Sequence, residues 1–534
     1  MTTVRDAAFE VFRRYELTTI FANPGSTEIA LLTDLPEDLR FVLALHEGSV
    51  VGAATGFAIA SGRPALAVLH TTAGLGNATG ALATARTNRA PLVVIVGQQD
   101  RRHLAFAPFL AGELEGLAGS YPVWSAAPVR AQDVPGAIAR AWHEACEHRG
   151  PAIVVVPMDD WRAAADDLAM AAPGEVQRPV TSDAAGLGEL AELVDTAISP
   201  AIVAGAGADS AEAWSALTSL AERLACPVWQ EPLGARAGFP QDHQQFAGHL
   251  PSGRFGVRDV LAPHDVVLVV GAPAFRHYPY EPGPLVLAGT KLAMVTDDAS
   301  DALHSPVDLA LIAPIAATCR LLAEMVGPRA GAMVVSAARP VPTPPEGRGH
   351  RLRAAHVLSE LARRIPPDTV LLEEAPSNRP TLHRVIQVRR PLGFLSAAMG
   401  GLGFAMPAAV GVRLASPRRP VVAVVGDGSS LYAIQSLWTA AHYGVGVLFV
   451  VLSNGRYSVL DQLAKSEGRG VVPWPPFEEI DVAEIALGFG CESVTVEDRE
   501  GLVAALDKSI PGLREMNRPF VLNVAVAADL EFVP

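Results

Sequence analysis

The chain has 534 residues, half of them apolar, and a formal net charge of −14. That length and apolar content allow three or four domains with large buried cores. The acidic balance argues against a nucleic-acid or anionic-membrane surface, and no apolar run approaches the roughly 18 residues that a membrane span needs. Four cysteines, Cys146, Cys226, Cys319 and Cys491, lie far apart without metal-binding spacing and are expected to be reduced structural thiols. Only Lys291, Lys465 and Lys508 are available to anchor a Schiff-base cofactor, and none sits beside a phosphate cradle. The N-terminus, MTTVRDAAFEVFRRYEL, carries acids among its apolar residues and lacks a signal-peptide core, so a cytoplasmic location is expected.

In chain order, residues 4–15 have the spacing of an amphipathic helix capped by Thr2 or Thr3. Short apolar runs at 18–22, 41–45, 65–69, 91–96 and 152–156 predict parallel strands, each delivering a loop to one sheet edge. The first loop is Asn23-Pro24-Gly25-Ser26-Thr27, the second begins at His46-Glu47, and the third at His70. Ser26, Glu47 and His70 are therefore candidates for one cleft, and Gly74 and Asn77 shape the helix start beside it. Residues 160–185, rich in Ala and Asp, predict an exposed linker.

Further strands are predicted at 200–203, 227–230, 266–270 and 291–296. Gly205-Ala206-Gly207 is half of a dinucleotide fingerprint, but Ser210 stands where a third glycine belongs and no acid is placed for a ribose. A central domain without a bound nucleotide is expected. Residues 337–350, AARPVPTPPEGRGH, predict a Pro-rich linker. The expected domains are 1–175, 185–336 and 351–534.

The densest signal is residues 420–457. A strand at 421–425, a helix at 431–443 and a strand at 447–452 form one right-handed crossover unit. Asp427 and Asn454 then close two parallel strands at the edge where open α/β sheets bind ligands. A carboxylate and an amide oxygen are hard donors suited to Mg²⁺, which fills its octahedron with substrate phosphates and water. Gly426 and Gly428 let the backbone approach a diphosphate, and Ser429 is placed to cap the following helix.

Gly426-Asp427-Gly428 at one strand end, with Asn454 at the next, resembles the binding motif of thiamine-diphosphate-dependent enzymes. The stretches NPGS, LALHE, LHTTAGLGNATGAL, VGQQ and GGLGF extend the resemblance over essentially the whole chain, to the 2-oxo-acid decarboxylases and most closely to the benzoylformate decarboxylases. That resemblance implies an α/β fold of three doubly wound parallel-sheet domains: pyrimidine-binding, central and diphosphate-binding. It implies non-oxidative decarboxylation of a 2-oxo acid, an aryl one favoured, to aldehyde and CO₂, with carboligation as a side activity. The implied cofactors are thiamine diphosphate and Mg²⁺, or Ca²⁺ in its place. In this family the two terminal domains that hold the cofactor come from different subunits, so a homodimer is the minimum and a homotetramer is expected.

The resemblance also implies site residues. Asp427, Asn454 and the main-chain carbonyl of Arg456 would hold the metal. Glu47 would share a proton with the aminopyrimidine of the cofactor; otherwise it is an acid complementing a helix dipole. Ser26, His70 and His277 would move protons. Asn23, Pro24, Gly25, Asn77, Ser377, Gly400, Leu402, Gly426, Gly428, Ser429 and Tyr457 would contact the cofactor, with Leu402 beneath it. Leu110, Ser396, Val459 and Leu463 would line the substrate pocket. The chain departs from the pattern in two places. The second catalytic histidine of the benzoylformate decarboxylases aligns with Tyr278, leaving His277 one residue earlier. Their pocket aromatics align with Ser396 and Leu463, and a small residue of theirs with Val459. An acetohydroxyacid-synthase-like carboligase, an acyl-CoA decarboxylase and a non-catalytic cofactor-binding homologue are the alternatives.

Overall fold

The computed structural model describes residues 2–166, 184–329, 351–468 and 472–528. Three six-stranded sheets follow one another along the chain, and every neighbouring strand pair in them is parallel. The first contains β1 Thr19–Asn23, β2 Arg40–Leu43, β3 Ala65–His70, β4 Leu92–Gln98, β5 Trp124–Ala126 and β6 Pro151–Pro157, in the order β2-β1-β3-β4-β6-β5. The second contains β7 Pro200–Ala204, β8 Val228–Gln230, β9 Phe246–His249, β10 Val266–Val270, β11 Lys291–Thr296 and β12 Leu309–Ile312, in the order β12-β11-β10-β7-β8-β9. The third contains β13 Val370–Glu374, β14 Phe394–Ser396, β15 Val421–Gly426, β16 Leu448–Ser453, β17 Glu492–Val496 and β18 Phe520–Ala525, in the order β14-β13-β15-β16-β18-β17.

Central strands such as β10 (VVLVV) are buried at every residue, as strands covered by helices on both faces must be. β5, β9, β12, β14 and β17 all lie at sheet edges, and four of them are only half covered. These strands are only three to five residues long, and all but β12 (LALI) lack a continuous apolar run; no strand is predicted at any of them. The N-terminal helix Val4–Arg14 begins at Thr3, whose hydroxyl accepts from Asp6 N while Asp6 accepts from Thr3 N.

Part of the expected exposed linker is not exposed. Asp160 and Trp161 are buried, Asp160 pairs with Arg101, and Ala163 O accepts from Val4 N. An apolar ring and a paired carboxylate dock this stretch on the first sheet's helices. Residues 167–183 lie outside the described residues, as does the expected Pro-rich linker at 337–350.

The first and third sheets are joined by two helices, Glu47–Ser61 and Ala405–Ala415, that meet backbone to backbone. A Cβ on Gly56 would stand 2.1 Å from Ala408 O, and one on Gly411 only 1.9 Å from Ala53 O. Gly411→Val should therefore cost about 3 kcal/mol or more through overpacking, read as a lowered Tm in thermal unfolding; an unchanged Tm would show that the helices do not approach this closely. Asn88 makes a second tie, donating to Ser396 O and accepting from Ala398 N.

Around the GDG turn the structure corrects two expectations. A short helix, Asp427–Ser430, starts at the turn itself, and the longer one begins only at Ser436, not at 431. Ser429 makes no capping bond. The Asp427 carboxylate instead meets one of the free N–H groups at this helix start, accepting from Gly428 N at 2.8 Å.

Candidate active site

β1, β2 and β3 are neighbours, so the loops after them converge. Glu47, the first residue of its helix, is buried and held at both oxygens: Asn23 Nδ2 donates to Oε1 at 3.0 Å and Asn77 Nδ2 to Oε2 at 3.0 Å. Two side-chain amides thus face this carboxyl. Beside it, His70 Nδ1 lies 2.9 Å from Thr27 Oγ1 and 3.1 Å from Glu28 Oε2. Glu28 is buried and also accepts from Gly25 N at 2.7 Å. Gly25 must be a glycine because a Cβ there would meet the His70 ring at 2.4 Å. Ser26 sits in the same loop but is exposed.

Thr27 and Glu28 were not singled out from sequence. They read as the polar start of a helix, and their partners lie far away in the chain. The one available signal was Gly97 in VGQQ: a Cβ there would stand 1.8 Å from Glu28 Oε1, so this glycine makes room for the acid.

In the third sheet, β15 and β16 are direct neighbours with Gly426 opposite Leu452, and Asp427 and Asn454 follow them. Asp427 is buried. Its Oδ1 accepts from Gly428 N, and its Oδ2 accepts from Asn454 N at 2.9 Å and Gly455 N at 2.6 Å. Burial raises its pKa, opposed by those three N–H groups. Asn454 Oδ1 accepts from Arg456 N at 3.0 Å, and Arg456 O accepts from Ser458 N at 3.1 Å. Tyr457 and Phe477 pack over the turn, where a Cβ on Gly428 would stand 2.6 Å from the Tyr457 ring.

Between the second and third sheets lies a cavity of about 880 Å³. One wall is apolar, with Val459 and Leu463 of the helix Ser458–Ser466 joined by Leu402 and Met399. The opposite wall carries His249 and, from the helix Arg379–Val385, His383, whose rings stack at 3.9 Å. Gly400 also lines it, at φ 74°, a conformation that only glycine adopts freely. Ser377 is half-buried next to Pro376, which lines the cavity.

Two sequence expectations meet this cavity differently. Tyr278 lines it and His277 does not: Tyr278 exchanges hydrogen bonds with Ser252, another lining residue, while His277 is half-buried beside it, its pKa lowered by burial. Ser396 is fully buried in β14, and the wall there is made by Ala397, Ala398 and Met399 instead. Leu110 and the Asn23, Glu47 and His70 cluster do not line the cavity of their own chain. Sequence reading also passed over Glu374. It lines the cavity while accepting from Gly403 N, Phe404 N and Ala405 N, and burial pushes its pKa up to about 7.

A diphosphate-metal group makes specific demands, and these residues fit them. Asp427 Oδ1, Asn454 Oδ1 and Arg456 O each accept one N–H and keep a lone pair, giving three hard oxygens without a cluster of acids. The turn at Gly428 leaves its backbone uncovered by any side chain of its own.

Comparison with known proteins agrees with this architecture. Three thiamine pyrophosphate enzyme descriptions match: the N-terminal TPP binding domain over residues 2–117, the central domain over 187–322 and the C-terminal TPP binding domain over 377–524. The chain belongs to the thiamine pyrophosphate (thiamine diphosphate) enzymes. Within that family it is 38% identical to a benzoylformate decarboxylase of Pseudomonas aeruginosa, over 98% of this chain and 99% of that protein. An acetolactate synthase large subunit of Corynebacterium glutamicum is 25% identical over 96% of this chain and 85% of its own length. Among solved structures, the thiamine diphosphate-dependent 4-hydroxybenzoylformate decarboxylase of Rhodococcus jostii RHA1 matches with a TM-score of 0.93 and 34% identity, over 99% of this chain and 100% of that one.

Proposed function

We propose that this protein decarboxylates an aryl 2-oxo acid without oxidation, releasing the aldehyde and CO₂, with thiamine diphosphate and a divalent metal, Mg²⁺ or Ca²⁺, as cofactors. The observation that carries the reading is Glu47: a buried carboxyl gripped at both oxygens by side-chain amides. Holding a metal and a diphosphate needs no such group; proton transfer does.

When bound, thiamine diphosphate supplies the carbon nucleophile and the electron sink for loss of CO₂. Asp427, Asn454 and the Arg456 carbonyl would hold its metal. Asn23 and Asn77 fix the rotamer of Glu47, so that its proton is offered in one place. Thr27 and Glu28 engage Nδ1 of His70, which orders the ring with its lone pair on Nε2, ready to take or return a proton. The wall of Val459, Leu463, Leu402 and Met399 keeps water off the substrate body and leaves a carboxylate poorly hydrated, which favours its departure as neutral CO₂.

The Glu47 cluster and the large cavity do not meet within one chain, which supports a homodimer in which each copy completes the other's site, and a homotetramer on the family's pattern. No helix among the described residues is long and apolar enough to cross a membrane. With four free cysteines, the cytoplasm is the compartment this reading favours.

The test is to load the protein with Mg²⁺ and thiamine diphosphate, offer a panel of 2-oxo acids, and follow CO₂ and aldehyde. Phenyl- and 4-hydroxyphenyl-glyoxylate are expected to exceed pyruvate in kcat/KM by about 100-fold, the discrimination one apolar contact surface can supply. If no 2-oxo acid releases CO₂, the reading is wrong.

A further inference from the structure

Where the three sheets meet there is a second cavity, of about 330 Å³, lined by Arg86 and Asn88 from the first, Glu231, Arg236 and Arg276 from the second, and Ala398 from the third. Three of its lining side chains each bury a polar atom without a hydrogen-bond partner: Arg236 Nε, Arg276 Nε and Glu231 Oε2. Buried polar atoms are nearly always paired, and an unpaired one costs about 1–3 kcal/mol.

Neither arginine is neutralised well. The nearest carboxylate to Arg236 is Asp209 at 3.9 Å, and Arg276 Nε stands 3.4 Å from Glu231 Oε1. Arg89, on the same cavity, shows the contrast: it is satisfied by Asp297, Asp298 and Asp301. Burial lowers the pKa of Arg236 and raises that of Glu231. The Nε–H groups of Arg236 and Arg276 are thus two unmatched buried donors at one small polar space, which Asp298 and Asp301 also line.

The nearby Gly205-Ala206-Gly207 does not cradle a phosphate. Gly205 N donates to Val270 O, Gly207 N to Gly271 O and Ala208 N to Gly205 O, and a Cβ on Gly205 would strike Ala272 at 2.4 Å. Its glycines serve close packing between strand ends, and the space that remains is small.

We propose that this junction cavity binds a small oxyanion, of the size of inorganic phosphate or a short carboxylate, and that its occupancy is transmitted to the loop 397–402. The route is short. Arg276 Nη1 donates to Ala398 O at 3.3 Å, Asn88 holds Ala398 N and Ser396 O, and Ala398 lines both cavities. An anion that draws in Arg276 changes the support of the loop carrying Gly400 and Leu402.

The experiment titrates protein saturated with Mg²⁺ and thiamine diphosphate, by calorimetry, with inorganic phosphate and separately with acetate. The expected result is saturable binding of at least one of them, weakened about ten-fold by Arg236→Met, the loss of one charge-assisted pairing. Arg86→Gln, a milder change at the rim, should weaken it about three-fold and covers the case in which Arg236→Met does not fold. The tighter of the two anions identifies the source. In a second measurement, adding the anion should shift the apparent affinity for thiamine diphosphate in the parent protein but not in Arg236→Met; simple competition at the diphosphate site would persist in the variant. No saturable heat with either anion, or heat unchanged in both variants (an adventitious ion only), overturns the site. Binding without the affinity shift overturns the coupling. No readout depends on which substrate the enzyme takes.

Discussion

Glu47→Gln is expected to lower turnover of the best 2-oxo acid by about 100-fold or more, the scale of a lost general acid–base, while thiamine diphosphate affinity stays within a few-fold. The substitution isolates the proton from the shape. Glutamine fills the same volume at the start of the helix Glu47–Ser61 and keeps one oxygen to accept from Asn23 or Asn77. Its NH₂ then faces the other asparagine, which can turn its own amide to offer an oxygen. Packing and hydrogen bonding survive, so a loss of rate with retained folding and cofactor binding reports the proton. Steady-state kinetics and a cofactor titration on the same preparation decide it. Near-parental kcat in the variant would remove Glu47 from the mechanism.

Much of this was legible in the sequence because buried parallel strands announce themselves. β15 and β16 are uninterrupted apolar runs, each ended by residues that cannot continue a strand, so the positions of Asp427 and Asn454 follow from the chain alone. The same logic placed Glu47 past the end of β2, and His70 at the end of β3, where it is the strand's last residue. What could not be read is whatever depends on contacts between distant segments. Glu28 matters because His70 and Gly97 lie against it, and nothing within its own loop marks it as buried. Glu374 looks like the polar end of a strand until the start of the helix Ala405–Ala415 is seen resting on it. The segment GAPAFRHYPY shows the limit most plainly. Alignment leaves His277 and Tyr278 competing for one role, and the pairing of Tyr278 with Ser252 decides which of them borders the cavity. Ser396 failed for a related reason: all three residues of β14 are buried, so the pocket begins one residue later.

Asp427→Ala should abolish tight cofactor binding, with thiamine diphosphate affinity falling by about 100-fold or more at fixed Mg²⁺, the loss of roughly 3 kcal/mol of binding. Two separate effects add. The first does not involve the metal: removing the carboxylate strips partners from the N–H groups of Gly428, Asn454 and Gly455, at about 1–3 kcal/mol for each that stays buried and unpaired. The ends of β15 and β16 are joined through this side chain, so the loop carrying Asn454 and Arg456 loses its register. The second is the loss of the only carboxylate among the three oxygens. Asp427→Asn separates them, since its amide oxygen can still accept from Asn454 N and Gly455 N, though not also from Gly428 N, and carries no charge. If the metal is held here, Asn restores most of the thermal stability lost in Ala but little of the cofactor affinity, and raising Mg²⁺ recovers affinity more readily in Asn than in Ala. Thermal unfolding without cofactor reads the first effect, and cofactor titration at several Mg²⁺ concentrations reads the second. Parental affinity in Asp427→Ala would mean that the diphosphate and its metal are held somewhere else.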